Sequence, residues 1–431
     1  MSPISISTGE DRRNKPRQGI IGRIVHAIET MGEGKCLLLI FLAAVILRVA
    51  FYLIVFEHFK GTYGWMADDN YDEIARNVLA GYGYVIRPGL APNTVRTPLY
   101  VYFLVLHFVF FGYSRISIVL VQSTLQAGAC LLLYRLTKKL FNNPGPSLLA
   151  ALGLAVYPQS MLYASQYLTE SLYLFLIMVM ALSFIRLLER PSKGMYASVG
   201  FLLGVLTLCR PISQLLILPV AITIFFHLRQ RGQRKFGGIV TMVMVFLVVL
   251  SPWTLRNYLV TGDFIPVSTR GGRFLYSNTI ASQEEEETVL KHLRKEGNLS
   301  PGDEDAEWFD LAFRNIIERP GRFLRNTLHT GLDFWYRGHS FAISVFNALV
   351  NFPLLLFAVC GVVLKRNRWK DVMPIIVIIL YFNGMYSILH AISRYSLPVI
   401  PFICMFASVG ILDLLGRITM RREVGQGDQW N

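Results

Sequence analysis

The sequence predicts an all-α polytopic membrane protein with about ten transmembrane helices, roughly nine to twelve, and amphipathic helices in its first outer loop. Three observations carry this expectation. Of the 431 residues, 53% are apolar and only 16% charged, against roughly 25% charged in soluble domains. Several uncharged runs approach the roughly 20 residues that cross a hydrocarbon core about 30 Å thick; the clearest, residues 36–56, is broken only by Arg48. Lys and Arg gather in short clusters between the runs. The formal charge of +14 therefore reads as topology and not as nucleic-acid binding, which would interleave stacking aromatics.

Basic loops mark the cytoplasmic side, and ten crossings leave both termini there. The basic tail, residues 1–35, carries Arg12, Arg13, Lys15, Arg17 and Arg23. It leads into an apolar stretch longer than a signal-peptide core with no small-residue cleavage site behind it, so this helix is expected to stay as an anchor. It exits near Glu57 into an outer loop, residues 58–115, rich in acid at Asp68, Asp69, Asp72 and Glu73. Residues 99–111 are apolar but short for a span, which suits an interfacial or re-entrant helix. Runs at 116–136, 147–157, 167–188, 195–208, 212–226 and 239–250 complete an N-terminal transmembrane module, residues 36–254. Residues 255–338 form the one long polar segment, expected outside as a loop or small lobe. The closing module, residues 339–416, holds runs at 341–364, 372–389 and 397–415, and residues 417–431 form a second cytoplasmic tail.

Several features point to structure and not to chemistry. Cys36, Cys130, Cys209, Cys360 and Cys404 lie far apart in or beside apolar runs, with neither metal-ligand spacing nor a disulfide framework. The acidic run Glu284 to Glu287 reads as a solvated helix face. Gly200 and Gly204 have the spacing that lets two helices approach closely, and packing is the preferred reading. Asn298, Leu299 and Ser300 fit a glycosylation sequon, but Pro301 follows. His339 and His390 fall near outer helix ends and are weak candidates, while no HExxH, phosphate-binding loop or nucleophile elbow is present.

Ionisable groups at membrane edges are costly unless used or paired. Asp68 and Asp69 follow the first helix, and Glu170 opens the run at 167–188. Arg87, Arg96, Arg210, Arg256, Arg270, Arg273 and Arg394 fall on the same side, where the charge rule does not expect them. A carboxylate among arginines at that face is what transfer from a lipid phosphate requires: the acid takes a proton from an acceptor hydroxyl, and guanidinium groups stabilise the departing phosphate. Each group also has a plainer explanation. Asp68 and Asp69 suit a helix N-cap or solvated loop, Glu170 a first-turn acid facing the helix dipole, and each arginine a snorkelling side chain.

The pattern of strings resembles a known family. Asp68, Asp69 and Tyr71 precede the helix-like stretch to Ala80 and the Gly81, Gly83, Tyr84 turn. Arg96-Thr97-Pro98-Leu99-Tyr100 follows, then Tyr134 to Phe141, Tyr157-Pro158, Thr169-Glu170 and Leu208-Cys209-Arg210-Pro211. Pro252-Trp253, Arg256-Asn257-Tyr258 and Arg394-Tyr395-Ser396-Leu397-Pro398 close the series. In order and spacing these are similar to the polytopic GT-C glycosyltransferases that use polyprenyl-phosphate sugars, including protein mannosyltransferases and aminoarabinose transferases. The resemblance implies a catalytic Asp in the first outer loop, Asp68 or Asp69, and a second acid at Glu170. It implies donor phosphate contacts at Arg96, Arg256 and Arg394, with Tyr100 and Tyr395 beside them. This chain departs from the family in having adjacent aspartates close to Tyr71, which leaves both open as the base.

The expected activity is inverting transfer of a sugar from a polyprenyl- or dolichyl-phosphate donor to a lipid, glycan or protein acceptor outside the cytoplasm. No particular cofactor is indicated, and metal dependence is left open, because carboxylates in such a fold act with or without a divalent cation. The expected partners are the lipid-linked sugar, its acceptor and membrane lipids, with no nucleic acid. A bacterial inner membrane follows from the resemblance and the compact length. The alternatives are a multi-spanning lipid or solute transporter, for which no internal repeat is visible, and a catalytically silent partner in an envelope complex.

Overall fold

The computed structural model describes residues 31–59, 69–231, 236–295 and 299–427; Asp68, the tail to residue 30 and Asn298 lie outside the described residues. Every regular element among the described residues is helical. Helix α1 (Glu33–Phe51) continues through a π turn (Tyr52–Phe56). A short α2 (Tyr71–Leu79) and α3 (Pro98–Phe111) precede the long α4 (Arg115–Phe141). Then come α5 (Pro144–Ala155), α6 (Pro158–Ala164), α7 (Glu170–Glu189) and α8 (Lys193–Cys209). A 3-10 turn (Pro211–Leu216) opens α9 (Ile217–Gln230), and α10 (Phe236–Thr261) follows.

Eight helical segments are long and apolar enough to span, and the bent pair α5–α6 makes a ninth. Nine falls at the low end of the expected nine to twelve, and the run that falls short of a tenth is α8, whose 17 residues rise only about 25 Å at 1.5 Å per residue. Yet α8 returns the chain from the Glu189 end of α7 to its Glu170 end, because Arg210 at the end of α8 pairs with Glu170. Helix α3 is also short, in line with a non-spanning element, and stops where Gly112 takes a positive φ of 69°. Proline at the first turn of α3, α5 and α6 fixes where each begins, since its missing N–H is one the helix start leaves unpaired anyway.

The spans pack closely where side chains are small. A Cβ on Gly200 would lie 2.2 Å from the Met242 carbonyl oxygen, and one on Gly204 2.7 Å from Val249. The glycine pair of α8 thus lets α10 approach backbone to backbone. Apolar side chains such as Leu38, Ile46, Leu247 and Leu356 stay exposed on the rim of the bundle, as lipid-facing positions require.

Arg48 explains the bend between α5 and α6. Pro158 holds Tyr157 in an extended conformation and ends α5, which frees carbonyls that hydrocarbon cannot hydrate. The Arg48 guanidinium donates to the carbonyls of Leu154 (3.3 Å), Ala155 (2.9 Å) and Ala44 (2.8 Å), to Gln126 Oε1 (2.7 Å) and to Ser160 Oγ (2.8 Å). Its five N–H groups are all used, and the two helices meet at 49°.

The long polar segment folds as a small lobe. It comprises α11 (Gly271–Ser277), α12 (Gln283–Lys295), α13 (Pro301–Glu318) and α14 (Pro320–Tyr336). Leu275, Tyr276, Ile280, Leu293, Trp308 and Ala312 form its core. The Glu284 to Glu287 run is a solvated first turn, although Glu286 reaches Arg273 at 2.6 Å. The last spans are α15 (Phe341–Leu364), α16 (Trp369–Ile388) and α17 (Ile400–Gly427), with a 3-10 turn at Ser393–Ser396 between the final two. Asn278 of the lobe donates to the carbonyls of Ser387 and Ile388, which fastens the lobe to the end of α16.

Candidate active site

One end of the bundle gathers basic side chains in simple pairs: Lys138 with Glu33, Lys139 with Glu189, and Lys365 with Asp413. The other end builds a buried ionic cluster from four distant parts of the chain. Its centre is Glu170, whose side chain is wholly buried. Its carboxylate accepts from Arg210 at the end of α8 and from Nε of Arg394 in the 3-10 turn between α16 and α17. Arg394 Nη2 also lies 3.0 Å from Asp69 Oδ2, and Arg96 Nη2 lies 3.0 Å from Asp69 Oδ1.

The local structure makes these positions obligatory. Asp69 and Asn70 both have positive φ (51° and 62°) immediately before α2, a strained conformation for residues with a Cβ that must be held by its surroundings. The Asp69 carboxylate is thereby turned to arginines, and the N-cap position falls to Asn70. Arg96 is held by its own N–H on Asn93 Oδ1 (2.8 Å), with its guanidinium over the Tyr71 ring at 5.3 Å. Pro211 ends α8 at Arg210, whose Nε donates to Thr169 Oγ1 at 2.7 Å.

Arg394 is positioned through its neighbour. Ser393 N donates to the Arg337 carbonyl (2.8 Å), and Ser393 Oγ accepts from Gln159 (3.1 Å) and Asn347 (2.8 Å). Tyr157 donates to Asn351 (2.8 Å) in the same buried network, so the broken span α5–α6, α15 and the 3-10 turn are tied together beside Arg394.

Electrostatically the site is cationic. Arg270, just before α11, stacks on Phe274 at 4.7 Å and adds its field to Asp69. Among the described residues four guanidinium groups (Arg96, Arg210, Arg270, Arg394) thus surround two carboxylates (Asp69, Glu170), a surplus of two positive charges. Burial raises the Asp69 carboxyl pKa, but the fields of Arg394 and Arg96 outweigh it and hold the group below the usual carboxylate range. Burial alone would lower the Arg394 pKa, yet Glu170 and Asp69 raise it well above normal. Glu170 Oε2 and Arg210 Nη1 are buried without a hydrogen-bond partner, so the cluster is not closed on itself.

The cluster therefore brings together Asp69, Glu170, Arg96 and Arg394 of the expected site residues. Arg256 stands apart from it. Its guanidinium lies between the rings of Trp253 (4.7 Å) and Tyr84 (5.1 Å) and donates to the Asn93 carbonyl at 2.8 Å, supporting the loop that carries Arg96. Tyr100 lies one layer below, edge-on to Tyr71 and bonded to Gln122 Oε1 at 2.9 Å. Tyr395 stacks on Tyr386 with centroids 4.7 Å apart and lies next to His390, close enough for its field to act on Arg394 and Arg270. Arg210, Arg270, Gln159 and Asn347 were missed as site residues. Arg210 and Arg270 had a signal as arginines on the outer side, and Arg210 also the proline after it in a recognisable string.

A divalent cation does not suit this donor set. Among the described residues no group of three His, Cys, Asp or Glu converges, and both carboxylates of the cluster are already matched to guanidinium groups that would repel a dication.

Comparison with known proteins finds one partial sequence match and a shared fold. Residues 95–255 match the family model described as dolichyl-phosphate-mannose-protein mannosyltransferase, a stretch that contains Arg96, Glu170 and Arg210. The fold is similar to that of ArnT from Cupriavidus metallidurans in its crystal structure bound to undecaprenyl phosphate, with a TM-score of 0.51 and 17% identity. That similarity covers 89% of this chain and 62% of the ArnT chain, so the present chain spans under two thirds of ArnT. The apo structure of the same ArnT aligns with a TM-score of 0.46 at 15% identity, over 83% of this chain and 57% of that one. No curated protein matches by sequence. The chain thus shares a stretch of sequence with that family model and its overall fold with ArnT.

Proposed function

We propose that the protein transfers a sugar, with inversion, from a polyprenyl- or dolichyl-phosphate donor to a lipid, glycan or protein acceptor on the non-cytoplasmic side of the membrane. The observation that supports this reading is the surplus of two positive charges that the described residues place around Asp69 and Glu170. A donor sugar phosphate is a diester with one negative charge, and the lipid phosphate released is a monoester that approaches two. An excess of two therefore favours the departing phosphate over the bound donor, which is the differential stabilisation that lowers a barrier.

The chemistry is a single displacement. The acceptor hydroxyl oxygen bonds to the anomeric carbon as the bond from that carbon to the phosphate oxygen breaks. The bonding pair leaves on the phosphate, and a carboxylate takes the hydroxyl proton. Asp69 is the base we favour, with Asp68 the alternative. Paired with two arginines Asp69 is a weak base, and a donor phosphate drawing on Arg96 and Arg394 would restore its basicity. Glu170 is then the anchor that spreads Arg210 and Arg394, and Arg256 acts through the Arg96 loop.

The basic pairs at the far end of the bundle support a cytoplasmic assignment for that end, and hence an outward-facing site; with the resemblance, this favours a bacterial inner membrane. The transport reading fits less well, because the buried charge inside a span, Arg48, has all its donors occupied. The test is incubation of purified protein with a panel of radiolabelled polyprenyl-phosphate sugars, comparing wild type with Asp68→Asn, Asp69→Asn and Glu170→Ala. Turnover of one donor, lost in an aspartate variant that still folds, is expected. Undiminished turnover in both aspartate variants and in the double variant would remove the base assignment, and no turnover or binding of any donor would remove the activity.

A further inference from the structure

Away from the ionic cluster, a groove of about 520 Å³ opens between the end of α14 and the lipid-facing side of α15. Phe341, Val345, Ala348 and Phe352 form its wall. Their spacing of four, three and four residues puts them on one face of the helix, and Phe341 (85%), Val345 (41%) and Phe352 (44%) are exposed. The stripe runs about 16 Å along the helix at 1.5 Å per residue, close to the depth of one leaflet. At its mouth Arg337 Nη1 lies 2.8 Å from Asp333 Oδ2, with the arginine side chain 55% exposed and the aspartate 14%. Ser340 caps α15 at the same level through the Ile343 N–H, so the charged pair sits where a spanning helix ends and headgroups begin.

We propose that this groove binds one phospholipid with an amine-bearing headgroup, its phosphate on Arg337, its ammonium on Asp333 and one acyl chain along the α15 stripe. A fixed pair of opposite charges is complementary to a zwitterion laid antiparallel to it. An anionic headgroup without an amine meets Arg337 but leaves Asp333 facing negative charge. A choline headgroup carries the positive charge but no N–H to donate to the carboxylate. The existing Asp333–Arg337 contact is a pair one helical turn apart whose arginine is exposed to solvent, so it is worth little and is readily shared with a ligand. The bound lipid also bears on the ionic cluster, since the Arg337 carbonyl accepts from Ser393 N beside Arg394.

The test is native mass spectrometry of the full-length protein from mixed micelles with equal phosphatidylethanolamine, phosphatidylcholine, phosphatidylglycerol and a polyprenyl phosphate. Wild type should retain one phosphatidylethanolamine. Asp333→Asn and Arg337→Gln, which leave the fold and the Arg337 backbone contact in place, should each retain it roughly tenfold less, about 1.4 kcal/mol. Ala348→Trp, which fills the groove, should lose it. Equal retention of the three phospholipids, preferential retention of the polyprenyl phosphate, or retention unchanged in the two charge variants would overturn the proposal.

Discussion

Arg394 Nη2 lies 3.0 Å from Asp69 Oδ2, joining the turn before the last helix to the loop after the first. The same guanidinium holds Glu170 through Nε. One side chain therefore bridges two carboxylates, each of which has a second guanidinium partner, Arg96 for Asp69 and Arg210 for Glu170.

Replacement of Arg394 by Gln should destabilise the protein by less than the roughly 3–5 kcal/mol of a fully stranded buried charge, because Arg210 and Arg96 still hold the two carboxylates. Arg394→Gln with Glu170→Gln should lose less than the sum of the two single losses, because the two groups contact each other, although Arg210 is then left without Glu170. Thermal unfolding in detergent across the four variants of the cycle measures the coupling; additive losses would show that the two groups do not depend on each other.

The low folded pKa of Asp69 makes a prediction about pH. A carboxyl whose pKa is depressed on folding stabilises the native state above its unfolded pKa, about 4, and that contribution disappears as pH falls through the lower folded value. The stability difference between wild type and Asp69→Asn should be largest near neutrality and shrink as the pH drops below about 4. Melting temperatures of the two proteins between neutral and acid pH test this, and a difference that grows in acid contradicts it.

Asp305 in the lobe shows the opposite sign. Burial pushes its carboxyl up to about 6, partly offset by the hydrogen bond from Gly272 N at 2.9 Å. A raised acid pKa favours folding below the unfolded pKa, and the benefit is lost as pH rises through about 6. Amide exchange in α11 should be slower at pH 5 than at pH 8 after correction for intrinsic rates, and Asp305→Asn should flatten the difference.

Arg48 should be stabilising although it sits inside a span. Its replacement by Met removes five hydrogen bonds, and at the roughly 0.6 kcal/mol each that such bonds average in membranes the loss is about 3 kcal/mol. Arg48→Lys should restore only part of it, because an ammonium cannot reach Gln126, Ser160 and three carbonyls at once. Equal stability of the Lys variant and wild type would mean that charge alone, and not the planar fork, holds the α5–α6 break.

The α8–α10 contact gives the sharpest steric test. Gly200→Ala places a Cβ 2.2 Å from the Met242 carbonyl oxygen, whereas Gly384→Ala on α16 meets nothing within 4 Å. The first should cost roughly 1–3 kcal/mol, in the range of overpacking, and the second should be neutral or slightly stabilising through helix propensity. Unfolding in detergent compares them directly.

The helical, membrane-spanning character of the protein was written in its composition and in the alternation of apolar runs with basic clusters, because hydrocarbon admits only segments that satisfy their own backbone. The same local rules marked α3 as short and Gly200 and Gly204 as a packing face. They also placed Asp69, Glu170 and the arginines on one side, since sidedness follows from counting crossings. What the one-dimensional pattern left undecided was which of those arginines meet the carboxylates. Arg256 and Arg394 look alike in sequence, each close to a tyrosine and a proline. Only the packing of α8, α15 and the 3-10 turn sends Arg394 and Arg210 to Glu170 and leaves Arg256 between two aromatic rings. Ion pairing at a few ångströms depends on the distances between helices that are remote in sequence, and those distances are set by tertiary packing alone.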